Sequence, residues 1–186
     1  MVANYNARHV MIDIECLGTG DMPVVLSIGI IKFNPWHDYR DMPIESFHTN
    51  YLKPSFKSCR AIGCDIDDDT LDWWAKQDSD VLDEAFNEEG RISLRKAMKE
   101  LYKYCFGCTH YWGHGAQFDY GILEHIASKL ERGVPWRFYQ VRDSRTVFDM
   151  ANPDRPTELK HHALYDCLGQ IIGVQNVYRK LNVRDV

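Results

Sequence analysis

HVMIDIEC, residues 9–16, is a run of β-forming residues that carries two acidic side chains, Asp13 and Glu15. In a β-strand, successive side chains point to opposite faces, so residues two apart lie on the same side of the sheet. Charge within an apolar strand is unfavourable unless it is paired, and divalent ions such as Mg²⁺ or Mn²⁺ take carboxylate oxygens as ligands. The pair alone leaves two hypotheses open: a metal site, or an exposed strand end with solvated acids.

Further β-forming and amphipathic segments follow residues 9–16 along the chain. The predicted strands are 9–16, 24–33, 46–52, 110–113 and 137–141, and the predicted helices are 71–77, 94–104, 118–130 and 158–181. The helices are predicted from apolar residues at helical spacing and from capping residues, and a proline-containing loop at 152–156 precedes the last one. Strands that come first and then alternate with helices predict an α/β or α+β domain with a mixed sheet.

Size, charge and hydropathy limit the class of protein. A chain of 186 residues fits a single domain spanning 1–186, and a formal net charge of −5 disfavours a protein that coats long nucleic acid, although it allows binding of a few terminal nucleotides. No basic and apolar leader opens the sequence, and its longest apolar stretch, 24–31, is too short to span a bilayer. We expect a protein without membrane contact, located in the cytoplasm, or in the host cytoplasm if the gene is viral. Without a leader, the six cysteines are predicted to be reduced thiols.

Two later segments add candidate polar groups. Asp119 follows a predicted strand-to-helix turn in WGHGAQFDYGIL, where, taken alone, an acid that stabilises the helix terminus is the better interpretation. LKHHALYDC contains His161, His162 and Asp166 near the start of the last predicted helix. Helical spacing pairs His162 with Asp166, whereas His161 reaches the same site only if it lies at the helix start or in the preceding loop.

Taken together and in order, these motifs resemble those of a known enzyme family. Asp13-x-Glu15, Asp119 in GAQFD, and His161-x4-Asp166 are similar to the three exonuclease motifs of the DEDDh family, which has the ribonuclease H-like fold. The blocks TLDWWAKQ, WGHGAQFD, RDSRT and HHALYDC resemble most closely the branch of phage exonuclease A proteins and mycobacterial-type 3′-5′ exoribonucleases. The resemblance covers residue 9 to about residue 175, and it implies an α/β fold with a central mixed β-sheet flanked by α-helices.

The resemblance implies a role for each motif residue. Asp13, Glu15, Asp119 and Asp166 would hold two Mg²⁺ or Mn²⁺ ions, and His161 would be the general base, with His162 at the variable position beside it. Such an enzyme removes nucleoside 5′-monophosphates from the 3′ end of single-stranded RNA or DNA, and two metal ions suit this phosphoryl displacement. Relatives of this kind are often homodimers.

Substrate contacts are less specific in the sequence. By resemblance, Cys16, Leu17 and Gly18 form the surface against which the terminal base and sugar rest, and Phe118 adds stacking. Ordinary core packing explains these residues equally well. Two arginines in RDSRT are predicted either to approach a phosphate or to pair with nearby acids such as Asp143.

Trp73 and Trp74 are predicted to pack a helix onto the sheet. Two other functions stay open: a catalytically silent subunit of the same fold that binds a nucleic-acid end or a protein, and a hydrolase specific for dinucleotides.

Overall fold

A mixed β-sheet of five strands runs through the molecule. The computed structural model describes residues 7–154 and 160–184. The strands are β1 (His9–Cys16), β2 (Val25–Phe33), β3 (His48–Leu52), β4 (His110–Gly113) and β5 (Val141–Asp143), and their order in the sheet is β3-β2-β1-β4-β5. β1 pairs antiparallel with β2 and parallel with β4, while the outer pairs are β2–β3 antiparallel and β4–β5 parallel. The predicted central mixed sheet is confirmed.

Helices cover both faces of this sheet. They are α1 (Phe56–Arg60), α2 (Asp68–Trp74), α3 (Ser79–Phe86), α4 (Leu94–Cys105), α5 (Ala116–Lys129), α6 (Ser144–Asp149) and α7 (Ala163–Lys180). Alternation along β1 divides the core: Val10, Ile12 and Ile14 pack with α4 and α5, whereas Met11 packs with α7 on the other face. The odd-numbered positions that follow Met11 are occupied by the two acids, so both carboxylates face α7.

A glycine in β2 allows α7 to approach the sheet very closely. A Cβ atom placed on Gly29 would lie 2.3 Å from the carbonyl oxygen of Ala163, the first residue of α7. No other residue fits there without displacing backbone, which is a recurring reason for glycine inside a strand. Gly29 thereby fixes where the last helix begins over the sheet.

The predicted bounds of the fifth strand were wrong, and residues 160–162 of the predicted last helix are not helical. Residues 138–140 form a short 3₁₀ turn, and the fifth strand begins only at Val141 and ends at Asp143. The β-forming aromatic residues Phe138 and Tyr139 are exposed and do not pair with β4. The last helix begins at Ala163, and its predicted start at residue 158 lies outside the described residues. Its true beginning, after both histidines of LKHHALYDC, decides which histidine reaches the candidate site.

Candidate active site

Three carboxylates from two elements meet at one point on the α7 face of the sheet. Asp13 and Glu15 extend from β1 and Asp166 extends from the first turn of α7, and one oxygen of each lies within 4.8 Å of the others. Asp119, in the first turn of α5, lines the same cleft and accepts a hydrogen bond of 3.3 Å from the Ile14 N–H. The structure therefore brings all four predicted carboxylates together.

The site has too much negative charge for its degree of burial. Burial, followed by repulsion from Asp166 and Asp119, raises the pKa of Glu15 to about 8. Burial also raises the pKa of Asp119 to about 7, although hydrogen bonds from backbone N–H groups oppose this shift. The pKa of Asp13 lies well above its usual value for the same reasons, with a hydrogen bond of 2.7 Å from Gln170 Nε2 acting against them. A divalent cation would remove this repulsion, because carboxylate oxygens are the ligands that such ions prefer.

His161 lies in the loop before α7 and lines the cleft that contains the carboxylates. Its backbone adopts a left-handed conformation with φ of 61°, which histidine tolerates better than most residues. The imidazole lines the cleft and meets the ring of Trp73 edge-on, with 4.7 Å between ring centroids. Burial and the nearby Lys160 lower the pKa of His161, so the ring is neutral at pH 7 and able to accept a proton.

His162 points to a different part of the molecule. It is the N-cap of α7, and its Nδ1 accepts a hydrogen bond of 3.3 Å from the Leu164 N–H. Its ring stacks on Tyr51 of β3, with 4.7 Å between centroids and 20° between planes. The helical pairing with Asp166 fails because His162 precedes the helix. The geometry therefore places His161, and not His162, beside the acids.

One carboxylate fixes the beginnings of two helices beside the cleft. Asp143 accepts hydrogen bonds from the N–H groups of Gly115 at 3.2 Å, Ala116 at 2.9 Å and Arg145 at 2.8 Å. Gly115, with φ of 94°, is the N-cap of α5, and Asp143 is the N-cap of α6. Asp143 thus holds the turn that presents Asp119, and it does so through backbone N–H groups.

The predicted substrate contacts separate into two groups. Phe118 is 39% exposed and lines the cleft, which has a volume of about 630 Å³. Cys16 and Leu17 are buried, and a Cβ on Gly18 would lie 3.2 Å from the Pro23 side chain. None of these three is among the described residues that line the cleft. Their contact with substrate stays a prediction.

Several cleft residues were missed by sequence reasoning. Lys160, which adjoins His161 in LKHHALYDC but was given no role, and Gln170, which belongs to no motif, both line the cleft. The two tryptophans differ: Trp74 is buried and donates from Nε1 to the Cys16 carbonyl at 3.1 Å, as core packing requires. Trp73 is 41% exposed and contacts His161, so its predicted packing role is incomplete.

Comparison with protein families agrees with this geometry. The model of the 3′-5′ exoribonuclease Rv2179c-like domain matches residues 8–178. The chain belongs to this family. The protein is therefore a 3′-5′ exonuclease, as its motifs predicted. Its place in a particular branch stays a prediction.

Solved structures share the fold of this protein. It is similar to Exonuclease X in complex with 5′ overhanging duplex DNA, with a TM-score of 0.52, 12% identity, and coverage of 95% of this chain and 94% of that chain. It is also similar to the nuclease domain of 3′hExo, a DEDDh family member, bound to rAMP, with a TM-score of 0.54, 13% identity, and coverage of 94% and 92%. These similarities confirm the ribonuclease H-like fold. Comparison with curated proteins finds no match.

Proposed function

We propose that the protein hydrolyses the last phosphodiester bond of single-stranded RNA or DNA and releases a nucleoside 5′-monophosphate. The observation that carries this proposal is the meeting of Asp13, Glu15 and Asp166 within 4.8 Å, in a cleft that also contains a neutral histidine. The family description favours RNA as the substrate. A sheet-side cleft with acids, a base and an aromatic side chain provides the groups that such a reaction needs.

The carboxylates would hold two Mg²⁺ or Mn²⁺ ions. The raised pKa values of Asp13, Glu15 and Asp119 indicate charge that the protein itself does not compensate. These three residues and Asp166 offer the oxygen ligands that such ions prefer. Bound there, the ions would polarise the scissile phosphate and lower the pKa of an attacking water. Gln170 orients Asp13, and the Ile14 N–H orients Asp119, so these two ligands are held before the substrate arrives.

His161 would act as the general base. The oxygen of water bonds to phosphorus, its proton passes to the neutral imidazole, and the bond from phosphorus to the 3′ oxygen breaks. The leaving oxygen takes up a proton and becomes the new 3′ hydroxyl, while the phosphate stays on the 5′ carbon of the released nucleotide. Trp73 restricts the ring through its edge contact, so the basic nitrogen keeps its direction into the cleft.

Cations and an aromatic ring on the rim would receive the nucleic acid. Lys160 and Arg145 are exposed and line the cleft. Their positive charges would attract phosphate toward a site whose other charged groups are acidic. Phe118 offers an exposed ring on which a base can stack. The predicted homodimer and cytoplasmic location stay predictions; among the described helices, none has the length and apolar character to cross a bilayer.

A time course on 5′-labelled single-stranded oligonucleotides tests this function. RNA and DNA of equal sequence are incubated with Mg²⁺, Mn²⁺ or EDTA, and we expect a ladder that shortens from the 3′ end and is absent in EDTA. Asp13→Asn should remove the ladder, whereas Asp80→Asn, which changes an exposed acid on α3, should keep it. Oligonucleotides that stay intact but bind to the protein would indicate a silent binding subunit instead.

A further inference from the structure

A second cleft adjoins the one that contains the carboxylates. This outer cleft has a volume of about 680 Å³ and lies between the loop after β1 and the first three turns of α5. It shares Gly115, Phe118 and Arg145 with the cleft that contains the carboxylates, so the two clefts border each other at these residues. A nucleic-acid strand that ends at the carboxylates and extends past Phe118 would enter this second space.

One face of α5 forms the floor of the outer cleft. Gln117, Gly121 and His125 follow one another at intervals of four residues and all line it. Residues at this spacing share a helix face. A Cβ atom placed on Gly121 would meet nothing within 4 Å, so the middle of the floor is open. Thr19 and Asp21 from the loop after β1 also line the space, and the exposed Phe118 ring borders it.

A cation stands where the two clefts meet. Arg145 is exposed in the first turn of α6, and its Nε donates to the His114 carbonyl at 3.2 Å. The nearby Asp143 carboxylate is engaged by three backbone N–H groups. Among residues 7–154 and 160–184, no acidic oxygen lies within ion-pair distance of the Arg145 guanidinium. Its terminal N–H groups are therefore available to an anion in a protein with a net charge of −5.

We propose that the outer cleft binds the nucleotide that precedes the scissile phosphate, and that Arg145 binds the next phosphate in the 5′ direction. This inference rests on the proposed exonuclease function. A guanidinium and a phosphate form strong charge-assisted hydrogen bonds, and an aromatic ring beside an open groove suits a base of any sequence. The enzyme therefore recognises two phosphates, the one it cleaves and the one that follows.

Two dinucleotides separate the inference from ordinary activity. An unmodified dinucleotide has only the scissile phosphate, whereas a 5′-phosphorylated dinucleotide also has the phosphate that Arg145 would bind. For the wild-type protein, we expect kcat/KM to be about tenfold higher for the phosphorylated form, the effect of one hydrogen-bonded charge. Arg145→Gln should abolish this preference, and Lys99→Gln, an equal change of charge on the exposed face of α4, should retain it.

The outer cleft is tested by filling it. Gly121→Leu places a side chain on the open floor, and it should fold because leucine favours a helix more than glycine does. The substitution should lower kcat/KM about tenfold for a trinucleotide. It should have little effect on the p-nitrophenyl ester of a nucleoside 5′-monophosphate, which does not reach the outer cleft. Gly121→Ala is the matched control and should have a much smaller effect. Equal rates on both dinucleotides, or a preference that survives Arg145→Gln, would refute the inference. Loss of all hydrolysis by the wild-type protein would instead refute the proposed function.

Discussion

Replacing Gly29 by alanine tests how strictly the last helix is positioned. The new Cβ would lie 2.3 Å from the Ala163 oxygen and 2.4 Å from its carbonyl carbon, whereas ordinary contact begins at 3.4 Å. The strand and the helix must therefore separate by about 1 Å, since packed interiors do not absorb such an overlap. Overpacking of this kind lowers the free energy of unfolding by about 1 to 3 kcal/mol.

The same displacement moves His161 and Asp166 away from Asp13 and Glu15. A misplacement of about 1 Å in a catalytic site lowers the rate about a hundredfold, so kcat/KM for a short oligonucleotide should fall by that factor while the far-UV circular dichroism spectrum stays native. Urea denaturation gives the change in stability. Gly133→Ala is the control, because a Cβ there meets nothing within 4 Å. Native stability together with full activity in Gly29→Ala would show that α7 is not held as described.

Three further substitutions test the roles assigned to the two histidines and to Glu15. His161→Ala should lower kcat by a factor of about 10² to 10⁴ and leave the free energy of unfolding nearly unchanged. His162→Ala should lower the free energy of unfolding by about 1 kcal/mol, because the N-cap of α7 is lost, and should keep most of kcat. The reverse pattern in kinetic and denaturation measurements on both variants would exchange the two assignments. The folded protein holds the proton of Glu15 up to about pH 8, so the stability of the wild-type protein falls as pH rises from about 4.5 to 8. In EDTA, Glu15→Gln should therefore be more stable than the wild-type protein by about 2 to 4 kcal/mol at pH 8, but not at pH 4. Urea titrations that give equal stabilities at pH 8 would contradict this repulsion.

Features that depend on local periodicity could be predicted from the sequence. The shared face of Asp13 and Glu15 follows from alternation in β1, and the amphipathic pattern of residues 94–104 agrees with α4. Residues 137–141 show where this reasoning fails. The exposed Phe138 and Tyr139 have strand-forming side chains, but β4 offers β5 only three partner positions. Strand propensity does not reveal where a neighbouring strand ends.

Features that depend on one helix boundary could not be derived from spacing. Spacing favoured His162 because it assumed that both histidines were helical, and the left-handed backbone at His161 leaves no trace in the sequence. Only the family resemblance indicated His161. The contact between Trp73 and this ring, and the approach of α7 to Gly29, join segments far apart in the chain, so they required the tertiary structure.

The carboxylates come from opposite parts of the chain, and this has a consequence for synthesis on the ribosome. Asp13 and Glu15 belong to the first strand, all five strands precede residue 144, and Asp166 belongs to the last described helix. Chains begin to fold from the N-terminal side as they emerge. A nascent protein can therefore complete its sheet while it still lacks the histidine and the final acid. The emerging polypeptide therefore has an incomplete candidate site until α7 docks.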